Sequence, residues 1–148
     1  MSAAKIVDRL VAVCIDSEKR YRHAANDVSR DDLMEFFNRQ AEIRGNAARE
    51  LQAARPHDGA AKEESGTFAG LLDRVEMDLS VVMSKGDSGV IDWCREDAEE
   101  VAGEYENALR NPELPAGIKP TLERQLVAVR DAVTELERLL RAYGGPRS

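Results

Sequence analysis

The 148-residue chain is acidic and highly charged: charged residues make up 33% of it, aromatic residues 5%, and its formal net charge is −7. A chain of this length is expected to fold as one domain, residues 1–148, with enough core to need no disulfide or structural metal. The excess of acidic residues argues against nucleic acid and anionic membrane as partners, because both bind clustered lysine and arginine.

Apolar residues at helical spacing predict five helices, which in chain order span about 3–28, 31–55, 67–85, 87–111 and 115–143. Pro56 follows the second helix, the stretch KGDSG ends the third, and NPELP separates the fourth from the fifth. Either Asp87 or Ser88 can cap the fourth helix. Residues 144–148 are expected to be disordered.

The lengths of the connections predict how the helices pair. Short connections join the first helix to the second and the fourth to the fifth, so each pair is expected to form an antiparallel hairpin. The connection between the hairpins, about 56–89, is long and contains the third helix. Two hairpins joined by one long crossover are typical of a ferritin-like four-helix bundle, which is the predicted all-α fold. A five-helix bundle is the alternative.

A few polar residues interrupt the apolar seams that run along the main helices in steps of four and three residues. Glu18 interrupts the first helix, Gln40 and Arg44 the second, and Gln125 the last. Folding the first hairpin about Ser29 sets Glu18 level with Gln40 and within one turn of Arg44. Since an unpaired buried carboxylate is costly, these positions predict a buried ion pair between Glu18 and Arg44. The expected polar core layer comprises Glu18, Tyr21, Gln40, Arg44, Tyr105 and Gln125.

A metal site is the alternative interpretation of this layer. Di-metal carboxylate bundles use two glutamates and two Glu-x-x-His motifs, and this chain has no Glu-x-x-His. Its histidines, His23 and His57, lie off the seams, and Arg44 would repel a dication. No metal or other cofactor is therefore expected. In the alternative, Glu18, Asp97 and Glu104 bind iron or manganese in an oxidase or peroxide-handling protein.

The two cysteines, Cys14 and Cys94, lie far apart on apolar seams, which indicates reduced core thiols in a cytoplasmic protein. Neither has a histidine at a fixed spacing, so no catalytic thiol, and no other catalytic residue, is predicted. The first apolar run contains Asp8 and Arg9, which is unlike a signal peptide or a membrane span.

Several stretches together resemble a bacterial family of ferritin-like four-helix-bundle proteins of unknown function: CIDSEKRYRHAA, RQAEIRGNAAREL, the spacing from Cys94 to Tyr105 and Leu109, and LERQLVAV. The resemblance implies a ferritin-like bundle and, for members that keep their polar layer, metal binding or a stress-associated role. Glu18, Arg44, Tyr105 and Gln125 match the family. Ala98 and Val133 stand where relatives carry a carboxylate and a histidine, which implies a degenerate metal site.

The sequence thus predicts a non-enzymatic ferritin-like bundle whose polar layer replaces a di-metal site. Apolar residues beyond the main seams, such as Phe36, Val81 and Met83, predict self-association, most simply as a dimer. No ligand is indicated by the sequence.

Overall fold

The computed structural model describes residues 2–56 and 86–143, and these residues form an all-α protein. The four α-helices are α1 (Ala3–Asp27), α2 (Asp31–Ala53), α3 (Gly86–Arg110) and α4 (Lys119–Tyr143), and a short 3₁₀ turn, Ala116–Ile118, precedes α4. No strand occurs in these two ranges. The predicted helix at 67–85, most of the crossover and the predicted disordered tail lie outside the described residues.

The helix ends follow local side-chain chemistry. The Ser2 hydroxyl caps α1 by accepting a hydrogen bond from the backbone N–H of Lys5 at 3.2 Å. Gly86, with a positive φ of 75°, begins α3, a conformation that glycine adopts without strain. The helix thus starts before Asp87, which was expected to cap it. Asp87 instead accepts hydrogen bonds from the backbone N–H and hydroxyl of Ser29 at 3.0 and 2.8 Å, which ties α3 to the α1–α2 connection.

Contacts between neighbouring helices establish their directions. Along α1, Arg9 contacts Glu104 and Ser17 contacts Asp97, and just beyond its end Ser29 contacts Asp87. The helices α1 and α3 are therefore antiparallel. In the same way, the contacts Asp32–Tyr143 and Glu50–Arg124 make α2 and α4 antiparallel. Since the connection 28–30 folds α2 back along α1, α2 and α3 run in the same direction. The end of α2 and the start of α3 therefore lie at opposite ends of the bundle.

The buried apolar residues separate into two clusters along the bundle axis. The first cluster, near the start of α1, includes Leu10, Leu51, Val101, Tyr105 and Leu122. The second cluster, near the start of α2, includes Tyr21, Phe37, Ile91, Cys94 and Leu136. Burying these faces supplies the main driving force for folding. The predicted polar layer lies where the two clusters meet.

The outer surface differs from the sequence prediction at one apolar residue. Phe36, expected to be exposed, is partly buried against the second cluster, with its ring edge-on to Phe37 at a centroid distance of 5.4 Å. Packing against its neighbour removes Phe36 from the apolar surface that predicted a dimer, and Val81 and Met83 lie outside the described residues. Within the described ranges, no helix has the length and apolar character needed to cross a membrane.

Candidate functional site

Arg44 lies at the centre of the polar layer. Its side chain projects from the buried seam of α2, and only 2% of the residue is exposed. Burial raises the pKa values of four surrounding groups, and the charge of Arg44 opposes that rise in each of them: Cys14, Tyr21, Asp97 and Tyr105. Nevertheless, the terminal nitrogens Nη1 and Nη2 have no hydrogen-bond partner among the described residues. The Cys14 and Tyr105 side chains lie within hydrogen-bonding reach of the guanidinium, which helps to oppose the rise of their pKa values. The buried charge of Arg44 thus faces neutral groups and forms no ion pair with a carboxylate in the described ranges.

The predicted ion pair between Glu18 and Arg44 does not form. Glu18 Oε2 lies instead 4.0 Å from Arg22 Nη2, one turn further along α1, and 29% of the Glu18 side chain is exposed. Its carboxylate passes over Gly45 so closely that a Cβ on that residue would lie 2.8 Å from Oε2. The glycine lets the carboxylate cross the surface of α2 and reach water, which avoids the cost of burying its charge. The prediction was wrong because the first-helix seam points Glu18 to the edge of the core.

Tyr105 connects the centre of the layer to its edge through a chain of hydrogen bonds. The Tyr105 hydroxyl donates to Gln125 Oε1 at 2.6 Å, and the Cys14 sulfur lies 3.2 Å from the same hydroxyl. Since the hydroxyl has one proton, the Cys14 thiol is the donor in the second bond. Gln125 Nε2 in turn donates to Glu50 Oε1 at 2.8 Å and to the carbonyl oxygen of Ala47 at 3.4 Å. The buried amide and phenol are therefore satisfied.

The two other predicted members of the layer lie on the side of the second cluster. Tyr21 is buried and stacks on Phe37 at a centroid distance of 6.1 Å. Gln40 is half-buried, but its Oε1 atom is buried and has no hydrogen-bond partner in the described part of the chain. Gln40 and Arg44 are thus neighbouring buried groups on one face of α2, each with unsatisfied hydrogen-bonding capacity.

Asp97 forms a second polar contact between α1 and α3, which sequence reasoning missed. Its Oδ2 accepts a hydrogen bond from the Ser17 hydroxyl at 2.8 Å, and its Oδ1 lies 3.5 Å from Arg20 Nε. The Arg20 guanidinium stacks on the Trp93 ring, 4.4 Å from its centroid. Burial raises the pKa of Asp97, although Arg20 opposes the shift. Their positions in the sequence could have indicated this contact, because Ser17 and Asp97 are each next to a residue of an apolar seam.

The three residues of the alternative metal set each face a different arginine. Glu104 is held by Arg9 through two hydrogen bonds of 2.7 and 2.9 Å, Asp97 by Ser17 and Arg20, and Glu18 lies beside Arg22. No group of three or more histidine, cysteine, aspartate or glutamate side chains in the described ranges is arranged to hold a metal ion. His23 is half-buried away from these carboxylates, and His57 lies outside the described residues.

A shallow cleft between α1 and α3 lies beside this layer. Its volume is about 230 Å³, and its acidic lining includes Asp16, Asp97, Glu100 and Glu104.

Both cysteines are buried and free, and burial raises the pKa of the Cys14 and Cys94 thiols. They are therefore protonated at neutral pH, as expected of core thiols rather than nucleophiles.

Fold and site together define a helical-bundle protein with an arginine buried between two apolar core clusters. The chain belongs to a family described as a domain of unknown function (DUF2383), whose model matches residues 2–111. The match spans α1 to α3, whereas α4, which supplies Gln125, lies beyond it. Neither a curated protein nor a solved structure matched the chain.

Proposed function

We propose that this protein is a non-enzymatic ferritin-like four-helix bundle in which an arginine-centred polar layer replaces the di-metal site. The directions of the helices support the ferritin-like part of the proposal. With α1 antiparallel to α2 and to α3, and α4 antiparallel to α2, the parallel helices α2 and α3 are joined by the one long connection of the chain. Ferritin-like bundles combine two hairpins with such a crossover.

The observation that carries the proposal is the engagement of the carboxylates by arginines. A di-metal centre needs about four carboxylates free to bind cations. Here Arg9 binds Glu104 through both of its oxygens, and Arg20 faces Asp97. The buried guanidinium of Arg44 adds a positive charge in the same layer. A dication would have to displace these arginines and remain beside a buried cation, which Coulomb repulsion opposes.

Elemental analysis tests this proposal directly. The protein is produced with added iron and manganese, purified without chelator, and analysed before and after ferrous iron is added in air. We expect no stoichiometric metal and no ferrous oxidation above the rate in buffer. About two metal ions per chain, as a dinuclear site requires, would support the iron or manganese oxidase instead.

A matched variant distinguishes the layer from the acidic surface. Glu18→Gln combined with Glu104→Gln removes two carboxylates of the alternative site but leaves most surface carboxylates in place. Metal that both proteins bind equally is surface-bound. Metal that only the unmodified protein binds is held by the layer and overturns the proposal.

The family resemblance and the composition also support proposals about the location, the oligomeric state and the role of the protein. The buried, free thiols of Cys14 and Cys94 support a cytoplasmic location, where thiols remain reduced. A homodimer and a stress-associated role belong to the same proposal. Val127, which is 56% exposed, and Met34 are the large exposed apolar residues of the described part of the chain. Light scattering tests the dimer, and protein levels after oxidative stress test the role.

A further inference from the structure

The buried guanidinium of Arg44 lacks a counter-ion among the described residues. Arginine stays charged at all physiological pH values, so it cannot lose its proton when buried. Buried polar groups in native proteins nearly always have a hydrogen-bond partner, which can be a bound water or ion. Arg44 is 2% exposed, and its Nη1 and Nη2 atoms lack partners among the described residues. These two nitrogens form a fork with parallel donor hydrogens, which suits two oxygens of one planar anion.

The carboxylates nearest to Arg44 are committed elsewhere. Asp97 is close enough for its charge to interact with that of Arg44, but it accepts the Ser17 hydrogen bond and faces Arg20. Glu18 crosses Gly45 and faces Arg22 and solvent. The fork therefore has no carboxylate of the layer as its counter-ion.

The register of the helices indicates which residues share the level of Gln40, one turn from Arg44 on α2. Gln125 bonds to Tyr105 on α3 and to the Ala47 carbonyl on α2. Seven residues from these contacts, toward the second cluster, the antiparallel helices bring Ala132, Ala98 and Gln40 to one level. Ala132 and Ala98 are buried, and Ala132 belongs to neither apolar cluster. At this level α3 and α4 therefore carry alanines, the smallest side chains with a Cβ.

We propose that Arg44 binds a small planar monoanion, of the class that includes formate, nitrate and bicarbonate, between the two core clusters. The fork donates two hydrogen bonds to two oxygens of the anion, and the anion neutralises the buried charge. The amide of Gln40 adds a third donor when its nitrogen, rather than its oxygen, faces the anion. The ligand is expected to be small because the fork is buried in the core, where only 2% of Arg44 is exposed.

This inference rests on the proposed function, since it assigns a ligand to the same layer. The two can fail separately, because metal content tests the function and anion binding tests the ligand. Chloride is replaced stepwise by formate, and in a second series by nitrate, at constant ionic strength, and the Tm of the full chain is measured. At an anion concentration of ten times the Kd, binding shifts the folding equilibrium toward the folded state about 11-fold. This shift raises the Tm of a domain of this size by about 3–6 °C.

Two variants and one spectroscopic measurement control this experiment. Arg44→Met should lose the response, whereas Arg22→Met, which removes a half-exposed charge, should keep it. Nitrogen-15 NMR of the arginine side chains should show the Arg44 Nη signals shifting as formate is added, and this measurement does not depend on the folding of a variant. Equal responses of the unmodified protein and Arg44→Met, an equal effect of chloride, or unshifted Arg44 signals would overturn the proposal. Unshifted Arg44 signals would mean that only water binds to the guanidinium.

Discussion

A double-mutant cycle between Glu18 and Arg44 tests the central claim about the polar layer, that these residues do not form a buried ion pair. The single variants are Glu18→Gln and Arg44→Met, which remove each charge while keeping the side-chain length. Breaking a buried ion pair at one end costs about 3–5 kcal/mol, because the remaining charge is left unpaired. In this structure the partner of Glu18 is Arg22, at 4.0 Å and half-exposed. Such a surface pair contributes about 0–1 kcal/mol.

The structure therefore predicts a small coupling energy between the two changes. It also predicts that the two single variants change the free energy of unfolding in opposite directions. Glu18→Gln should lower the free energy of unfolding by at most about 1 kcal/mol. Arg44→Met should leave it unchanged or raise it in buffer without planar anions, because it removes a buried charge that has no carboxylate partner in the described ranges. The coupling energy between the two changes should stay within about 0.5 kcal/mol.

Urea unfolding at pH 7, followed by circular dichroism for all four proteins, measures these quantities. The midpoint and the m-value are compared, so that a change in the unfolded state is recognised. A coupling energy of about 2 kcal/mol or more, with Arg44→Met strongly destabilised, would refute the reasoning. It would mean that Glu18 and Arg44 pair in solution.

Three further predictions concern single residues. Gly103→Ala should raise the free energy of unfolding by about 0.5–1 kcal/mol, since a Cβ there meets nothing within 4 Å; Gly45→Ala should gain less, because its Cβ would lie 2.8 Å from Glu18 Oε2. Tyr105→Phe should cost about 1–3 kcal/mol, because a buried amide oxygen and a thiol lose their partner. Burial raises the pKa of Asp97 in the folded state. Its contribution to stability is therefore complete below the unfolded pKa of about 4 and is lost as the pH rises through the raised pKa. Asp97→Asn should abolish this decrease.

Each of these predictions has a matched control. Combining Gly45→Ala with Glu18→Ala should recover the gain seen at Gly103, and equal gains at both glycines without it would show that Glu18 does not lie over Gly45. Tyr21→Phe removes a buried hydroxyl but keeps the ring that stacks on Phe37, so it should cost less than Tyr105→Phe. Stability profiles from pH 4 to 7 that are parallel in the Asp97→Asn variant and the unmodified protein would contradict the pKa argument.

Much of the architecture could be predicted from the sequence because helical burial is a local property. The all-α class was predicted correctly, and α1 and α2 begin at the predicted residues Ala3 and Asp31. In α3 the steps of three and four residues predict a seam, and all of its residues are buried: Ile91, Cys94, Ala98, Val101, Tyr105 and Ala108. A seam that repeats in steps of four and three lies on one face of a helix, whatever the helix packs against.

The partners of the polar residues could not be predicted in the same way. The inward direction of Arg44, Tyr105 and Gln125 followed from their seam positions, and the structure buries all three. The partner of Glu18 could not be predicted from these positions. The register of a hairpin fixes how far along the bundle axis a residue lies, but it does not fix how the helix is rotated about its own axis. A small rotation of α1 places Glu18 over Gly45 at the edge of the core instead.

The sequence by itself determined the helices, their buried faces and the presence of an arginine on one of those faces. These properties depend on residues three and four apart, which interact within one helix. Only the tertiary structure decided that α1 packs against α3, so that Ser17 and Arg20 engage Asp97. It also decided that Nη1 and Nη2 of Arg44 have no hydrogen-bond partner among the described residues. Such contacts join residues far apart in the chain, and they depend on the order and rotation of whole helices.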